Sequence, residues 1–186
     1  MVSAEEERKF ILQAQEGDMH AFRFLMERYM KQAYNIAYGI TNDHDDAEDI
    51  AQESFVRMYR SIASFRGDAQ FSTWLYRIVM NASLNHLSKR KIKTEHEVHA
   101  TEQAMVAFGA EMSSHHQQDV QSHIEHALHE LPTLQRAVVI LRHLNGLSTR
   151  QVSGILQCSE GTVKTHLHRG LRKMRTLLGF FKSEIV

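Results

Sequence analysis

An all-α fold is predicted for this chain by three observations: a single proline, Pro132, in 186 residues, a composition rich in strong helix formers, and apolar positions recurring every three to four residues. Runs of period two, the mark of half-buried strands, are almost absent. Periodic apolar positions fill residues 1–93 and return from 123 onward. Two small helical domains, 1–93 and 123–186, are therefore expected on a polar linker, 94–122, rich in Glu, Gln, His and Ser. The linker's Ala104-Met105-Val106-Ala107-Phe108 patch spells at most one short helix, and mobility is expected around it.

The first long amphipathic helix is traced by Phe22, Leu25, Met26, Tyr29, Ala33, Ile36, Ala37 and Ile40, with a break expected at Gly39 and the Thr41-Asn42-Asp43 turn. Next, Ala47, Ile50, Ala51, Ser54 and Met58 make one stripe, which gathers Asp45, Glu48, Asp49, Gln52 and Glu53 on the outside. The helix macrodipole favours acids in a first turn and accounts for Asp45 and Asp46. Glu48, Asp49 and Glu53 repel one another, so that face is either simply solvated or built to meet a basic partner.

Residues 64–81 then place a polar loop with Gly67 ahead of an aromatic-rich helix, Phe71 to Asn81, that runs through Asn85 into Lys89-Arg90-Lys91. Aromatic, amide and basic groups in this order suit single-stranded nucleic acid: bases stack or enter a loop pocket, amides read edges and cations hold the backbone. Phe71, Trp74, Leu75 and Ile78 also suit a core, and Trp74 fits that role better than base contact. Asn81 and Asn85 share a face with no apolar neighbour.

The chain closes on a helix-turn-helix pattern over Leu147 to Arg175. Ser148 and Gln151 form a capping box ahead of Val152, Ile155 and Leu156. Gln157 and Cys158 make the turn, Ser159 caps the second helix, and Val163, Leu167, Leu171 and Met174 are its inner stripe. Its other face carries Lys164, Thr165, His168, Arg169, Arg172, Lys173 and Arg175, as a reading head in the major groove requires. A basic helical hairpin also occurs as an ordinary solvated surface.

Charge supports the first reading. Lys plus Arg and Asp plus Glu are each 22, yet residues 123–186 hold nine basic against four acidic residues, whereas 95–122 hold five acids and no Lys or Arg. One cysteine, Cys158, excludes an intrachain disulfide. Neither a signal peptide nor a bilayer-spanning run is read, so a cytoplasmic protein without direct membrane insertion is expected. Thirteen histidines, among them His96 and His99, His115 and His116, and His123, His126 and His129, recur at spacings a metal can exploit, but no Cys pair or HExxH motif joins them. No cofactor, metal or intrinsic enzymatic activity is expected.

Taken together, Asp46 to Glu53, Phe65-Arg66-Gly67 with Phe71 to Ile78, Leu131-Pro132 with Gln135-Arg136, and Gly161-Thr162-Val163-Lys164 resemble the extracytoplasmic-function sigma factors of bacterial RNA polymerase. The resemblance implies two helical domains, region 2 and region 4, that bind core polymerase through its β and β′ subunits and direct promoter recognition as a monomeric sigma. It implies polymerase contacts at Asp46, Glu48, Asp49, Gln52 and Glu53, on the clamp helices of the largest subunit. It implies minus-ten recognition and melting by Phe65, Arg66, Gly67 and Asp68, which capture a flipped base, with Asn81, Asn85, Lys89 and Arg90. Minus-thirty-five contacts would be Arg142, Ser159, Glu160, Gly161, Thr162, Lys164, Thr165, His168, Arg169 and Lys173. The linker would thread the polymerase channels, and an anti-sigma factor would be the usual control, holding the chain at the inner membrane where that partner is anchored there. A helix-turn-helix regulator acting outside polymerase is the other reading.

The chain departs from the family pattern at Met80, often Arg; at Asn85, often Asp; at Thr165-His166, often Ser-Arg; and at Gly170, often Ala. The Asn85 form resembles the envelope-stress branch. Gly170 inside the second helix is expected to cost about 1 kcal/mol relative to Ala unless close packing compensates.

Overall fold

Most helices begin where a short polar side chain accepts from otherwise free N–H groups of the first turn. Ser3 and Ser148 do so in full capping boxes with Glu6 and Gln151, and Asp18, Asp43 and Ser159 as single caps. The structure, a computed structural model, describes the backbone of residues 3–98 and 117–179 and the side chains of 3–90 and 120–179. Among these residues there are α-helices and no strand: α1 (Ala4–Gln15), α2 (Met19–Thr41), α3 (His44–Ser61), α4 (Phe71–Val98), α5 (Gln117–His129), α6 (Thr133–Val139), α7 (Thr149–Leu156) and α8 (Glu160–Leu177). A 3-10 turn, Ile62–Ser64, follows α3, and a π-turn, Ile140–Leu144, follows α6. The Ala104 to Phe108 patch lies outside the described residues. Both ends of the 94–122 segment are helical, since α4 continues to Val98 and α5 starts at Gln117.

Helices α1 to α4 enclose Leu25, Ile36, Ile40, Met58, Leu75, Tyr76 and Met80, all nearly inaccessible. The second half does not stand apart. Ile140, Leu141, Leu147, Val152, Ile155 and Val163 belong to the same buried cluster, which runs without a break from α1 to α8. A smaller cluster, Leu128, Leu131 and Val139, seats α5 and α8 through the partly buried Leu167, Leu171 and Met174.

Three of the contacts that join the halves involve residues singled out above or their neighbours. Gly39 does not break α2, contrary to the expectation; the helix continues to Thr41 and ends on Asn42 in the left-handed conformation, φ 56°. The glycine is there for space, because a Cβ on it would meet Ile140 Cδ1 at 2.9 Å. Second, Gln151 on α7 donates to Gln70 at 2.6 Å, where Gly154 lies over Thr73 on α4. Third, Arg136 reaches across. Its Nη1 donates to Ile40 O in the last turn of α2 at 3.0 Å and to His129 Nδ1 at 2.9 Å, and its Nη2 donates to His129 O at 2.9 Å and Leu131 O at 3.3 Å. Burial first, then the neighbouring Arg136 cation and His126, push His129 down to about 4.

Gly170 shows the close packing that offsets its poor helix propensity. It is buried, and a Cβ there would stand 2.9 Å from Val139 Cγ2 on α6. Gly170→Ala is therefore expected to destabilise by about 1 kcal/mol, since overpacking a rigid β-branched neighbour outweighs the helix gain. Combined with Val139→Ala, the total loss in thermal melts should be smaller than the sum of the two separate losses.

Candidate nucleic-acid and partner surfaces

The acidic face of α3 forms because its apolar stripe is fully spent inward. Ala47, Ile50, Ala51, Ser54, Phe55 and Met58 are buried, which leaves Glu48, Asp49, Gln52 and Glu53 in solvent. Glu53 pairs along the helix with Arg57 at 2.7 Å, an exposed bridge of little energetic weight. Asp46 is placed differently. Half-buried, its Oδ2 takes His86 Nε2 at 3.0 Å and Arg90 Nη1 at 3.1 Å, tying α3 to α4. One expected polymerase contact and one expected DNA contact thus pair with each other. Beside the carboxylates, Val56 and Tyr59 are about half exposed, at 48% and 49%. Charge at the rim with apolar anchors beside it is the make-up of a protein-docking face. Sequence periodicity missed these two, although both fall outside the Ala47 to Met58 stripe.

The loop before α4 is shaped by an aromatic wall. Phe65 meets Phe71 edge-on at 5.4 Å and Trp74 at 5.2 Å, while Trp74 lies 5.5 Å from Phe71. Arg66, Gly67 and Asp68 are exposed, and Gly67 takes φ 79°, a conformation that favours glycine. A cavity of about 450 Å³ opens among Phe65, Gly67, Asp68, Trp74 and Arg77. Trp74 is thus half-buried in the core, as its sequence context suggested, and also walls the cavity. Arg77 was not singled out as a candidate. Its buried Nε has no hydrogen-bond partner among the described residues, and its helical spacing from Asn81 was the available signal. Asn81, Asn85 and Lys89 are all exposed along α4.

Around the helix-turn-helix, Gln157 makes the turn with φ 52°, and Ser153 Oγ holds Cys158 O at 2.5 Å. Ser159 Oγ accepts from Thr162 N at 3.0 Å and starts α8. Thr162 is half-buried over that cap, while Glu160, Gly161, Lys164, Thr165, His168 and Arg169 are exposed. Thr165 Oγ1 turns back to Gly161 O at 2.9 Å. Two expected DNA contacts are engaged internally: Arg142 Nη1 donates to Leu147 O, closing the loop into α7, and Lys173 Nζ donates to Glu130 O past the end of α5. Among the described residues no three His, Cys, Asp or Glu side chains converge as a metal site; the side chains of His96, His99, His115 and His116 lie outside them. No helix among the described residues is long and apolar enough to cross a membrane.

Known proteins share this arrangement. The family model for Sigma-70 region 2 matches residues 25–92, and that for Sigma-70, region 4 matches 122–174. The ECF RNA polymerase sigma factor SigW of Bacillus subtilis is 34% identical over 92% of this chain and 96% of its own length. The RNA polymerase sigma-H factor of Pseudomonas aeruginosa is 31% identical over 91% and 92%. The same fold occurs in CnrH, solved with the cytosolic domain of CnrY, with a TM-score of 0.70 at 22% identity over 93% of this chain and 97% of that one. It occurs as well in the sigma factor RpoE of Bartonella quintana, solved with the anti-sigma factor NepR, with a TM-score of 0.69 at 23% identity over 85% and 96%.

Proposed function

Because this chain belongs to the extracytoplasmic-function group of RNA polymerase sigma factors, we propose that α3, the 65–70 loop and α8 divide promoter recognition among themselves. The α3 face of Glu48, Asp49, Gln52 and Glu53, with Val56 and Tyr59, docks on core polymerase. The loop cavity of Phe65 to Asp68 receives a base flipped from the minus-ten strand, with Arg77 beside it and Asn81, Asn85 and Lys89 along the strand's path. Lys164, Thr165, His168 and Arg169 read the minus-thirty-five element in the major groove. The single observation that carries this division is the aromatic-walled cavity, large enough for a base and edged by cationic Arg66 and Arg77.

Each half alone is a weak reader, and both become effective when one polymerase carries them. Base flipping costs a few kcal/mol, which polymerase contacts help to offset, so the free chain binds duplex promoter poorly. Asp46, Arg90, Arg142 and Lys173 join the contacts once their internal bonds are exchanged for polymerase or phosphate. An anti-sigma factor, as solved with the Bartonella quintana relative, controls access to these surfaces, and the chain works in the cytoplasm, held at the inner membrane where that partner is anchored. A dimeric regulator would use the α7–α8 hairpin but leave the loop and the α3 face idle.

Run-off transcription with core polymerase on a randomised promoter library tests the proposal. Transcripts should arise only with the chain present and should define two separated motifs. Lys164→Ala and Arg169→Ala should each weaken holoenzyme binding about tenfold on the selected promoter. A residue that loses equally on scrambled duplex, with a shallower salt dependence, is a phosphate anchor rather than a base reader.

A further inference from the structure

Helix α1 precedes the matched region 2 segment, which starts at residue 25, and it has no part in the division of labour above. Its last residue nevertheless touches the capture loop. Gln15 Nε2 donates to Phe65 O at 2.8 Å and to Ile62 O at 3.0 Å, the two carbonyls where the chain leaves the 3-10 turn for the loop. A side-chain amide carries two N–H groups, so one nitrogen holds both carbonyls.

The helix behind Gln15 is a firm support. Phe10 stacks on Phe24 of α2 with ring centroids 3.9 Å apart, Ala14 is buried, and Glu7 pairs with Arg28 at 3.1 Å and accepts from Tyr29 Oη. The loop lies opposite this helix. A cleft of about 470 Å³ separates them, edged by Arg8, Leu12, Phe65, Arg66 and Ala69. Side-chain hydrogen bonds between α1 and this stretch come from Gln15, and they act on the residue whose ring walls the base cavity.

We propose that Gln15 is a positioning residue for base capture, fixing through Ile62 O and Phe65 O the orientation in which the Phe65 ring meets Trp74 beside the cavity. The inference rests on the base-capture reading of residues 65–70. A Gln at this place acts as a double donor, so donor chemistry rather than size decides the outcome of substitution.

The test uses holoenzyme assembled from the full chain and core polymerase. The probe is a fork template whose unpaired strand carries the selected minus-ten sequence, either intact or with an abasic site at each position in turn. Gln15→Leu should weaken binding to the intact fork about tenfold, with core affinity and melting temperature close to wild type. Gln15→Glu, which sets a carboxylate against two carbonyls, should be at least as weak. Gln15→Lys restores donors and should return binding to within about threefold of wild type. At the captured position the abasic template should bind wild type and Gln15→Leu equally, because the loop has no base to orient. If Gln15→Leu keeps its deficit there, or if Leu, Glu and Lys all bind like wild type, the inference is overturned while base capture stands. If no abasic position weakens wild type, base capture fails and takes the inference with it.

Discussion

Reversal of Asp49 and Glu53 to lysine is expected to lower affinity for core polymerase about a hundredfold, near 2.7 kcal/mol, while the free chain keeps its fold. Both side chains are exposed, and Glu53's link to Arg57 is a surface pair whose loss costs little. The fold therefore tolerates the change, whereas a basic partner surface meets two charges of its own sign, each juxtaposition being costly at an interface. Two features of the kinetics separate this from unfolding. Association should slow more than dissociation quickens, and added salt should narrow the gap between wild type and variant, since at 0.15 M exposed charges more than about 8 Å apart are largely screened. Val56→Ala and Tyr59→Ala should instead speed dissociation, because apolar anchors act after encounter. Titration of labelled chain into core polymerase reads all three. Equal capture of the doubly reversed chain would remove α3 from the interface.

Arg136→Met is expected to be the most destabilising single change, about 3 kcal/mol, although the apolar replacement is of similar length. The guanidinium joins Ile40 O, His129 O, Leu131 O and His129 Nδ1, and its removal leaves these half-buried acceptors without their donor. Ile40 O belongs to the final turn of α2, where a cation also complements the helix dipole. The same cluster gives stability a pH dependence of defined sign. His129 is held unprotonated down to about pH 4, while an unfolded histidine takes its proton near 6.5. Between these values the unfolded chain binds more protons, so stability should be complete above pH 6.5 and fall as pH drops toward 4. Burial is the larger cause and Arg136 the second, so Arg136→Met should keep a fall of the same sign but smaller size. Thermal melts from pH 7.5 to 4 check both expectations.

What was legible beforehand follows from the range of the interactions involved. The α3 stripe, the Ser148 capping box, the Gln157 turn and the α8 inner face are set by neighbours three or four residues apart, and periodicity reads those directly. Helix α1 was legible but unread, since Ser3 and Glu6 spell the same capping box as Ser148 and Gln151. Gly39 and Gly170 were noticed as irregular, but each is explained by one side chain far along the chain or on another helix, Ile140 and Val139. The family resemblance likewise gave Asp46, Arg90, Arg142 and Lys173 as outward contacts. Their internal partners, from Asp46 with Arg90 to Lys173 with Glu130 O, depend on which helices meet, and local pattern carries no information about that.

The seam in which Ile140 rests on Gly39 has a mechanical consequence for a reader of two promoter elements. By their names those elements lie some two dozen base pairs apart, roughly 80 Å of duplex at about 3.4 Å per pair. A folded body of this length has a radius of gyration of only about 16 Å. Clasped, the molecule is a short caliper that grips one mark of the ruler. To measure between both marks it would have to unclasp along its own interior, wetting Ile140 and freeing Ile40 O from Arg136, so a partial disassembly of the chain is the expected first step of engaging both.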